Sequence, residues 1–202
     1  MNAKTAAMTL LLGAASIFCG EHATAQHCFR GKPCPQCRWF WITDSNFMYR
    51  LWSSEDARER NTGSNVLFSF DLGVMHNHSE RSALGASISG GYDQGYEQGQ
   101  IGARLRYRRW LNRPFSFEYA PGIMVNTGKG RYKGFSNLLA ITAADLVALS
   151  MRIDFMKYSR ESSYQVCTYG GITLGSYAGI AGAVGVSAVI IGVAIAFASS
   201  GW

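Results

Sequence analysis

Between residues 38 and 174 the sequence alternates between two kinds of side chain over runs of about ten residues. Phe68, Phe70 and Leu72, for example, share one face, while small or polar residues occupy the other. A period of two is the side-chain repeat of a β-strand, and no sustained helical period interrupts it. The pattern predicts an all-β chain. Its expected strands lie near residues 38–51, 65–76, 82–92, 99–111, 115–126, 134–142, 146–158 and 163–174.

The lengths of these strands and of their connections favour one architecture. About nine to eleven residues are enough for a tilted strand to cross a bilayer. Long connections, such as residues 52–65, alternate with tight ones, such as Asn112-Arg113-Pro114. Long loops at one end and tight turns at the other are typical of outer-membrane barrels. We therefore expect an eight-stranded antiparallel up-and-down transmembrane β-barrel over residues 38–174.

The chemistry of the two faces separates this barrel from a soluble one, which alternates in the same way but turns its apolar face inward. Charged residues make up only 16% of the chain, and the strands hold few of the Lys and Glu that a water-facing wall needs. Aromatic residues collect near the strand ends, as in the interfacial girdles of membrane barrels. The expected turn-side girdle is Trp39, Trp41, Trp110, Phe115 and Phe117, and the loop-side girdle is Tyr49, Trp52, Tyr92, Phe135, Tyr158 and Tyr164.

The charged residues of the strands share the parity of the small, polar face. An arginine that faces lipid at mid-membrane costs about 2–4 kcal/mol, so Arg104, Arg106 and Arg108 are expected to point into the barrel. The tight turn after Leu111 sets a register in which Arg108 lies opposite Glu118, and opposed charges stabilise an antiparallel pair. The expected lumenal charge network is Asp44, Asp71, Arg104, Arg106, Arg108, Glu118, Arg152 and Asp154, with Arg50 as a weaker candidate.

Residues 1–25 have the pattern of a secretory signal peptide: Lys4 precedes an apolar stretch that ends in small residues before the expected cleavage point. Export permits disulfides, and a Cys-containing periplasmic segment, residues 26–37, follows. Its Cys-x2-Cys spacing also fits a redox pair or half a zinc site, but no second such pair exists, which favours a disulfide tether. The candidate disulfide residues are Cys28, Cys34, Cys37 and Cys167, and their pairing stays open.

The last part of the chain, residues 175–202, departs from the strand pattern. No charged residue occurs after Ser162, and Tyr177–Ala198 is 22 residues of mostly Ala, Gly, Val and Ile. That length spans a bilayer as a helix, although Val and Ile also favour a further strand. Because side chains fill the interior of an eight-stranded barrel, we expect an apolar helix outside it.

Four segments carry a family resemblance. They are the runs Leu67–Val74, Gln100–Trp110 and Phe115–Val125, and the segment Phe40–Asp44. These segments resemble the strands of small eight-stranded outer-membrane barrels of the OmpX and OmpA-transmembrane-domain kind. The resemblance is one of pattern and covers roughly residues 38–174. It implies an up-and-down topology with both ends of the barrel in the periplasm, and it implies no catalytic chemistry.

Catalytic residue types cluster in one place: His76, His78, Ser79 and Glu80 lie in the second connection, expected on the periplasmic side. A polar turn is the favoured interpretation of this cluster. The basic loop at 128–133 lacks the pattern of a phosphate-binding loop, but as an external loop it could contact lipopolysaccharide. The net charge is +6, yet no run of Lys and Arg indicates a nucleic-acid surface.

The sequence thus predicts an integral outer-membrane barrel with a structural or surface-interaction role in the cell envelope, without catalysis, cofactor or metal. Its expected partners are the lipid bilayer, lipopolysaccharide and, during biogenesis, the barrel-assembly machinery. One alternative is a periplasmic lipid-binding barrel anchored in the inner membrane by its C-terminal helix. A second alternative is an outer-membrane enzyme that modifies lipid A.

Overall fold

The computed structural model describes residues 38–54, 64–112, 115–127, 132–143, 146–158, 164–175, 179–182 and 184–185. The predicted signal peptide and the predicted N-terminal cysteine segment lie outside these residues. The described part of the chain forms eight strands. They are β1 (Trp39–Ser53), β2 (Val66–Ser79), β3 (Ser82–Asp93), β4 (Gln98–Trp110), β5 (Phe115–Asn126), β6 (Tyr132–Ala143), β7 (Val147–Tyr158) and β8 (Gln165–Leu174).

The eight strands close into one antiparallel barrel. Each strand pairs with the next, and β8 returns to pair with β1. All eight predicted strands are present, and every boundary lies within three residues of its prediction. We call the end at which β1 begins the turn end, because the short β2–β3, β4–β5 and β6–β7 connections lie there. The opposite end is the loop end.

The strand register fixes how the barrel is built. Following the Cα partners from Trp39 through all eight strands leads back to β1 at Tyr49, a shift of ten residues. A stagger of this kind requires the strands to tilt by about 35–45° to the barrel axis. Eight strands enclose an interior that is only wide enough for side chains. The inward-facing residues must therefore pack as a core.

Successive side chains of a strand point to opposite faces, and burial follows that alternation. In β4, Arg106 is 2% exposed whereas the adjacent Leu105 is 69% exposed. The exterior is apolar and the interior polar, which is the reverse of a soluble barrel. Exposed large apolar side chains occur on every strand, among them Trp41, Leu72, Ile88, Leu105, Ile123, Ile141, Leu149 and Ile172.

The exterior aromatic residues follow the prediction with one exception. Trp39 and Trp41 are exposed at the turn end, but Trp110 is buried inside, with its ring centroid 6.3 Å from that of Phe40. The prediction that Trp110 belongs to the outer girdle is wrong, because Trp110 has the parity of the inward arginines of β4. Tyr49, Trp52, Tyr92, Phe135 and Tyr164 are exposed at the loop end, and the side chain of Tyr158 is outside the described set.

The start of the C-terminal segment packs on the outer wall of β1. Residues 179–182 form a helical turn, and Ser45 Oγ donates a 2.7 Å hydrogen bond to the carbonyl oxygen of Gly179. Thr43 and Ser45 have the parity of the outer face, yet both are buried. The described part of the tail thus lies outside the barrel, whereas residues 186–202 of the predicted helix lie outside the described residues.

A disulfide cross-link tests this packing of the tail. A Cβ atom added at Gly182 would lie 3.4 Å from Ser45 Cβ, close to the Cβ separation in a disulfide. We expect the Ser45→Cys/Gly182→Cys variant to form this bond, detected by mass spectrometry of the digested protein. The matched control is Ser45→Cys/Gly185→Cys, because a Cβ at Gly185 would have no neighbour within 4 Å. Equal yields from the two variants would contradict the packing.

Candidate functional site in the barrel interior

Three successive inward positions of β4 carry arginine, and the neighbouring strands make room for them. On β3 the Cα partners of Arg104, Arg106 and Arg108 are all small: Ser87, Gly85 and Ala83. On β5 the partner of Arg104 is Gly122, where an added Cβ would lie only 2.6 Å from Arg104 Cγ. Small residues on β3, together with Gly122 on β5, therefore leave room for the arginine side chains in a narrow interior.

Glu118 on β5 is the centre of a charge cluster towards the turn end. Its Oε2 lies 2.6 Å from Arg108 Nη2, and its Oε1 lies 2.6 Å from Arg106 Nη2. Arg106 also pairs with Asp44 on β1. Arg108 and Glu118 are Cα partners, which is the register predicted from the tight turn. The cluster joins β1, β4 and β5 across the interior.

A second chain of polar contacts begins at Arg104 and crosses the barrel. Arg104 pairs with Asp71 on β2 at 2.5 Å, and Asp71 accepts a 2.8 Å hydrogen bond from Asn46 Nδ2. Thr173 Oγ1 donates to Asn46 Oδ1 at 2.7 Å, and Ser150 Oγ is 2.8 Å from Thr173 Oγ1. This chain links β4, β2, β1, β8 and β7, so the interior contacts connect strands that are not neighbours in the sheet.

Arg152 on β7 forms the third group. Its Nε donates a 2.7 Å hydrogen bond to Asp154, two residues away on the same face, and its Nη2 donates at 2.7 Å to Gln100 on β4. All eight residues of the predicted lumenal network are therefore buried in the interior. The structure brings them together as Asp44, Arg106, Glu118 and Arg108, as Arg104 and Asp71, and as Arg152 and Asp154.

A fourth charged group, at the loop end, contains a residue that the sequence prediction missed. Arg50 pairs with Asp93 at 2.9 Å, and Tyr169 Oη donates to Asp93 at 2.7 Å. Arg50 also lies over the rings of Tyr96 and Tyr169, 4.3 and 5.4 Å from their centroids. Asp93 has the inward parity of β3, but the predicted strand ended at residue 92. With Asp93 the described residues of the interior include five arginines and five carboxylates.

Cys167, one of the four disulfide candidates, lies in this loop-end cluster as a buried free thiol, 3.2 Å from Tyr96 Oη. The other three lie outside the described residues, so the pairing stays a prediction. Cys167 is the partner of Ser53. At about 3.3 Å per residue, this level is roughly 45 Å along β1 from Trp39. A bond between Cys167 and the N-terminal segment would therefore have to reach the opposite end of the barrel.

Charged and small side chains line a small cavity in the described interior. A cavity of about 10 Å³ lies towards the turn end, beside Arg106 and Glu118, and it has room for about one water molecule. Small residues line its other side: Ala140, Thr142, Ala148 and Thr173. At the turn end the interior is packed by Phe40, Ile42, Met75, Ala83 and Trp110. The described interior is a packed core.

The cluster of catalytic residue types is not part of this interior. His76 and His78 belong to the end of β2, which continues to Ser79, so the connection predicted over residues 77–81 is shorter than expected. The His76 ring packs against Trp39 at a centroid distance of 4.6 Å. The described residues contain no group of three or more His, Cys, Asp or Glu side chains that could hold a metal ion.

Comparisons of the chain with family models, curated proteins and solved structures find no match. Within the described residues, no helix has the length and apolar character needed to cross a membrane. The described barrel combines an apolar exterior with an interior in which arginines are paired with carboxylates.

Proposed function

We propose that this chain is an integral outer-membrane barrel with a structural or surface-interaction role in the cell envelope and no catalytic activity. The single observation that carries the proposal is the inversion of its faces. Arginines and carboxylates are buried inside, and large apolar side chains are exposed on all eight strands. A membrane barrel needs this arrangement, because its outer wall contacts hydrocarbon.

An apolar outer wall of this extent would be unfavourable in water. Soluble monomers rarely expose contiguous apolar patches larger than a few hundred Å². Here the patch circles the barrel, as Leu72, Leu105, Ile123 and Leu149 illustrate from four different strands. In lipid the same wall is stabilising. Closure of β1 on β8 also gives hydrogen-bond partners to backbone groups that would otherwise have none in hydrocarbon.

The interior supports this proposal over a periplasmic lipid-binding barrel. Barrels that carry a lipid enclose a cavity large enough for it. The interior of this barrel contains ion pairs such as Arg104–Asp71, and the cavity beside Glu118 measures about 10 Å³. The described tail residues also pack on the same barrel wall, at Ser45, which favours a common membrane for the tail and the barrel.

Folding into lipid vesicles tests the proposal. The full chain, diluted from urea into phosphatidylcholine vesicles, should gain β-sheet circular dichroism and should migrate faster on a gel when it is left unheated. This heat-modifiable form should not appear in buffer without lipid or detergent, since the apolar wall would then face water. A monomer that folds fully in buffer alone would contradict a membrane barrel.

Surface proteolysis tests the orientation. The β1–β2 connection, at the loop end, is the longest and most polar one and carries Arg58 and Arg60. If the loop ends face outward, trypsin added to intact cells should cut near these arginines first. Mass spectrometry of the released peptides identifies the site. Cleavage there only after the outer membrane is permeabilised would indicate the inverted orientation or another location.

A further inference from the structure

Two lysines lie directly opposite each other on the outer wall at the loop end. Lys133, in β6, and Lys157, in β7, are Cα partners, and both side chains are exposed. Each lies one residue from the loop end of its strand. Like charges directly opposite on an antiparallel pair are destabilising unless a counter-charge is present. The pairing therefore favours an anion placed between the two ammonium groups.

The surroundings of the two lysines indicate the boundary of a bilayer. Phe135 and Phe155 are the next outward-facing partners towards the barrel centre, and both are exposed. Lys157 Nζ lies 5.5 Å from the ring centroid of Tyr164, which is 62% exposed. Aromatic rings at the interface and lysine heads just beyond them are the arrangement by which membrane proteins meet lipid headgroups.

The described residues supply no carboxylate beside this pair. All five acidic residues on the strands are turned inward: Asp44, Asp71, Asp93, Glu118 and Asp154. Among the described residues, the exposed acids are Glu80, at the turn end, and Glu97, in the β3–β4 turn on another part of the barrel. Among the described residues, no carboxylate therefore lies on the outer wall beside Lys133 and Lys157.

We propose that Lys133, Lys157 and Tyr164 form a binding site for the phosphate group of a lipid headgroup at the loop-end face of the membrane. The site rests on the proposed function, since it needs the wall below it to lie in lipid. A phosphate monoester carries a charge of about −1.5 to −2 at neutral pH. One such group can neutralise both ammonium groups, and a sugar or glycerol carrying the phosphate can pack on the Tyr164 ring.

Retention of a phosphorylated lipid tests this site. The full chain is folded into phosphatidylcholine nanodiscs that contain lipid A with both of its phosphates or after their enzymatic removal. Native mass spectrometry then measures how much of the lipid stays bound. Near an anionic surface each lysine contributes about fivefold to binding, so Lys133→Gln/Lys157→Gln should weaken retention of phosphorylated lipid A about 25-fold.

The control removes two exposed cations from the other end of the barrel. Arg81→Gln/Arg109→Gln changes the net charge by the same amount, and both residues are exposed at the turn end. This variant should retain phosphorylated lipid A as the native chain does, and dephosphorylated lipid A should be lost from all three proteins. Inorganic phosphate alone, added to nanodiscs without lipid A, should bind the folded barrel more weakly than phosphorylated lipid A.

The results that would contradict this site differ from those that would contradict the membrane barrel. Equal losses in both double variants, or equal retention of dephosphorylated lipid A, would overturn the site. Binding of inorganic phosphate to the folded barrel, lost in Lys133→Gln/Lys157→Gln, together with no retention of phosphorylated lipid A by the native chain, would mean that the site takes a free ion and would overturn the lipid assignment. Failure of the chain to fold into nanodiscs would contradict the membrane barrel itself, whereas a folded barrel without phosphate dependence contradicts this site alone.

Discussion

Replacing Glu118 with alanine should lower the free energy of unfolding by about 3–5 kcal/mol, the usual cost of breaking a buried ion pair from one side. Glu118 holds both Arg106 and Arg108 at 2.6 Å and is 2% exposed. Without it the interior, which balances five arginines with five carboxylates, carries one excess positive charge. Denaturant titration of the barrel folded in vesicles, followed by circular dichroism or heat-modifiable migration, measures the loss.

Two further variants separate charge from packing at this position. Glu118→Gln keeps the size of the side chain and loses the charge, so it should cost nearly as much as the alanine variant if electrostatics dominate. Glu118→Ala/Arg108→Ala restores a neutral interior and leaves Arg106 with Asp44, so it should recover part of the loss. If the double variant lost as much free energy of unfolding as Glu118→Ala and Arg108→Ala together, that result would contradict the coupling of these charges.

Replacing Leu105 with arginine should have the second-largest effect. Leu105 faces outward near the middle of β4 and is 69% exposed. If it faces hydrocarbon, an arginine there should cost about 2–4 kcal/mol. The measurement is the denaturant midpoint of the barrel in vesicles, together with the fraction of heat-modifiable protein.

The matched control for Leu105 lies on the same outer face. Leu111 follows β4 at the turn end and is 64% exposed, so the two leucines differ mainly in depth. Near the interface an arginine should cost about 0–1 kcal/mol. A Leu105→Arg variant as stable as Leu111→Arg, with full folding in both, would mean that the middle of the wall faces water.

Much of the fold could be predicted from the alternation of apolar and polar side chains along the sequence. A barrel strand has one inward and one outward face, so a single apolar or charged position fixes the rest of its run. The tight β4–β5 turn fixed the register of its two strands, and the register set Arg108 opposite Glu118. Trp110 lies at the end of β4, as a girdle residue would. Its side chain points inward, however, because it has the same parity in β4 as the inward arginines.

The loop-end cluster could not be predicted in the same way. Tyr96 lies in the β3–β4 turn, where alternation stops and the backbone decides the direction of a side chain. Glu97, the next residue, has a left-handed φ of 51°, and Gly95 N donates to Asp93 Oδ1 at 2.9 Å. This turn carries Tyr96 back over Arg50. Such a contact depends on local turn geometry, which the alternation of residues in the sequence does not predict.

The place where the tail contacts the barrel could not be predicted from the sequence for a related reason. Its glycines and apolar residues fit both a helix and a strand, and the prediction that it lies outside the barrel did not say which strand it contacts. The contact of Gly179 with Ser45 depends on the stagger of β1 and β8: their pairing begins at Ser45, while β1 pairs with β2 from Trp39. The outer wall of β1 beside the end of β8 is therefore the place where the chain leaves the barrel.

Fractionation of the cell envelope tests the central claim most directly. The full protein, produced in its own cell, should sediment with the outer membrane on a density gradient, resist extraction with sodium carbonate, and migrate faster on a gel when unheated. These results are expected if the apolar outer wall, whose large side chains are exposed on all eight strands, contacts lipid. Recovery in the soluble periplasmic fraction, or with the inner membrane, would contradict an integral outer-membrane barrel.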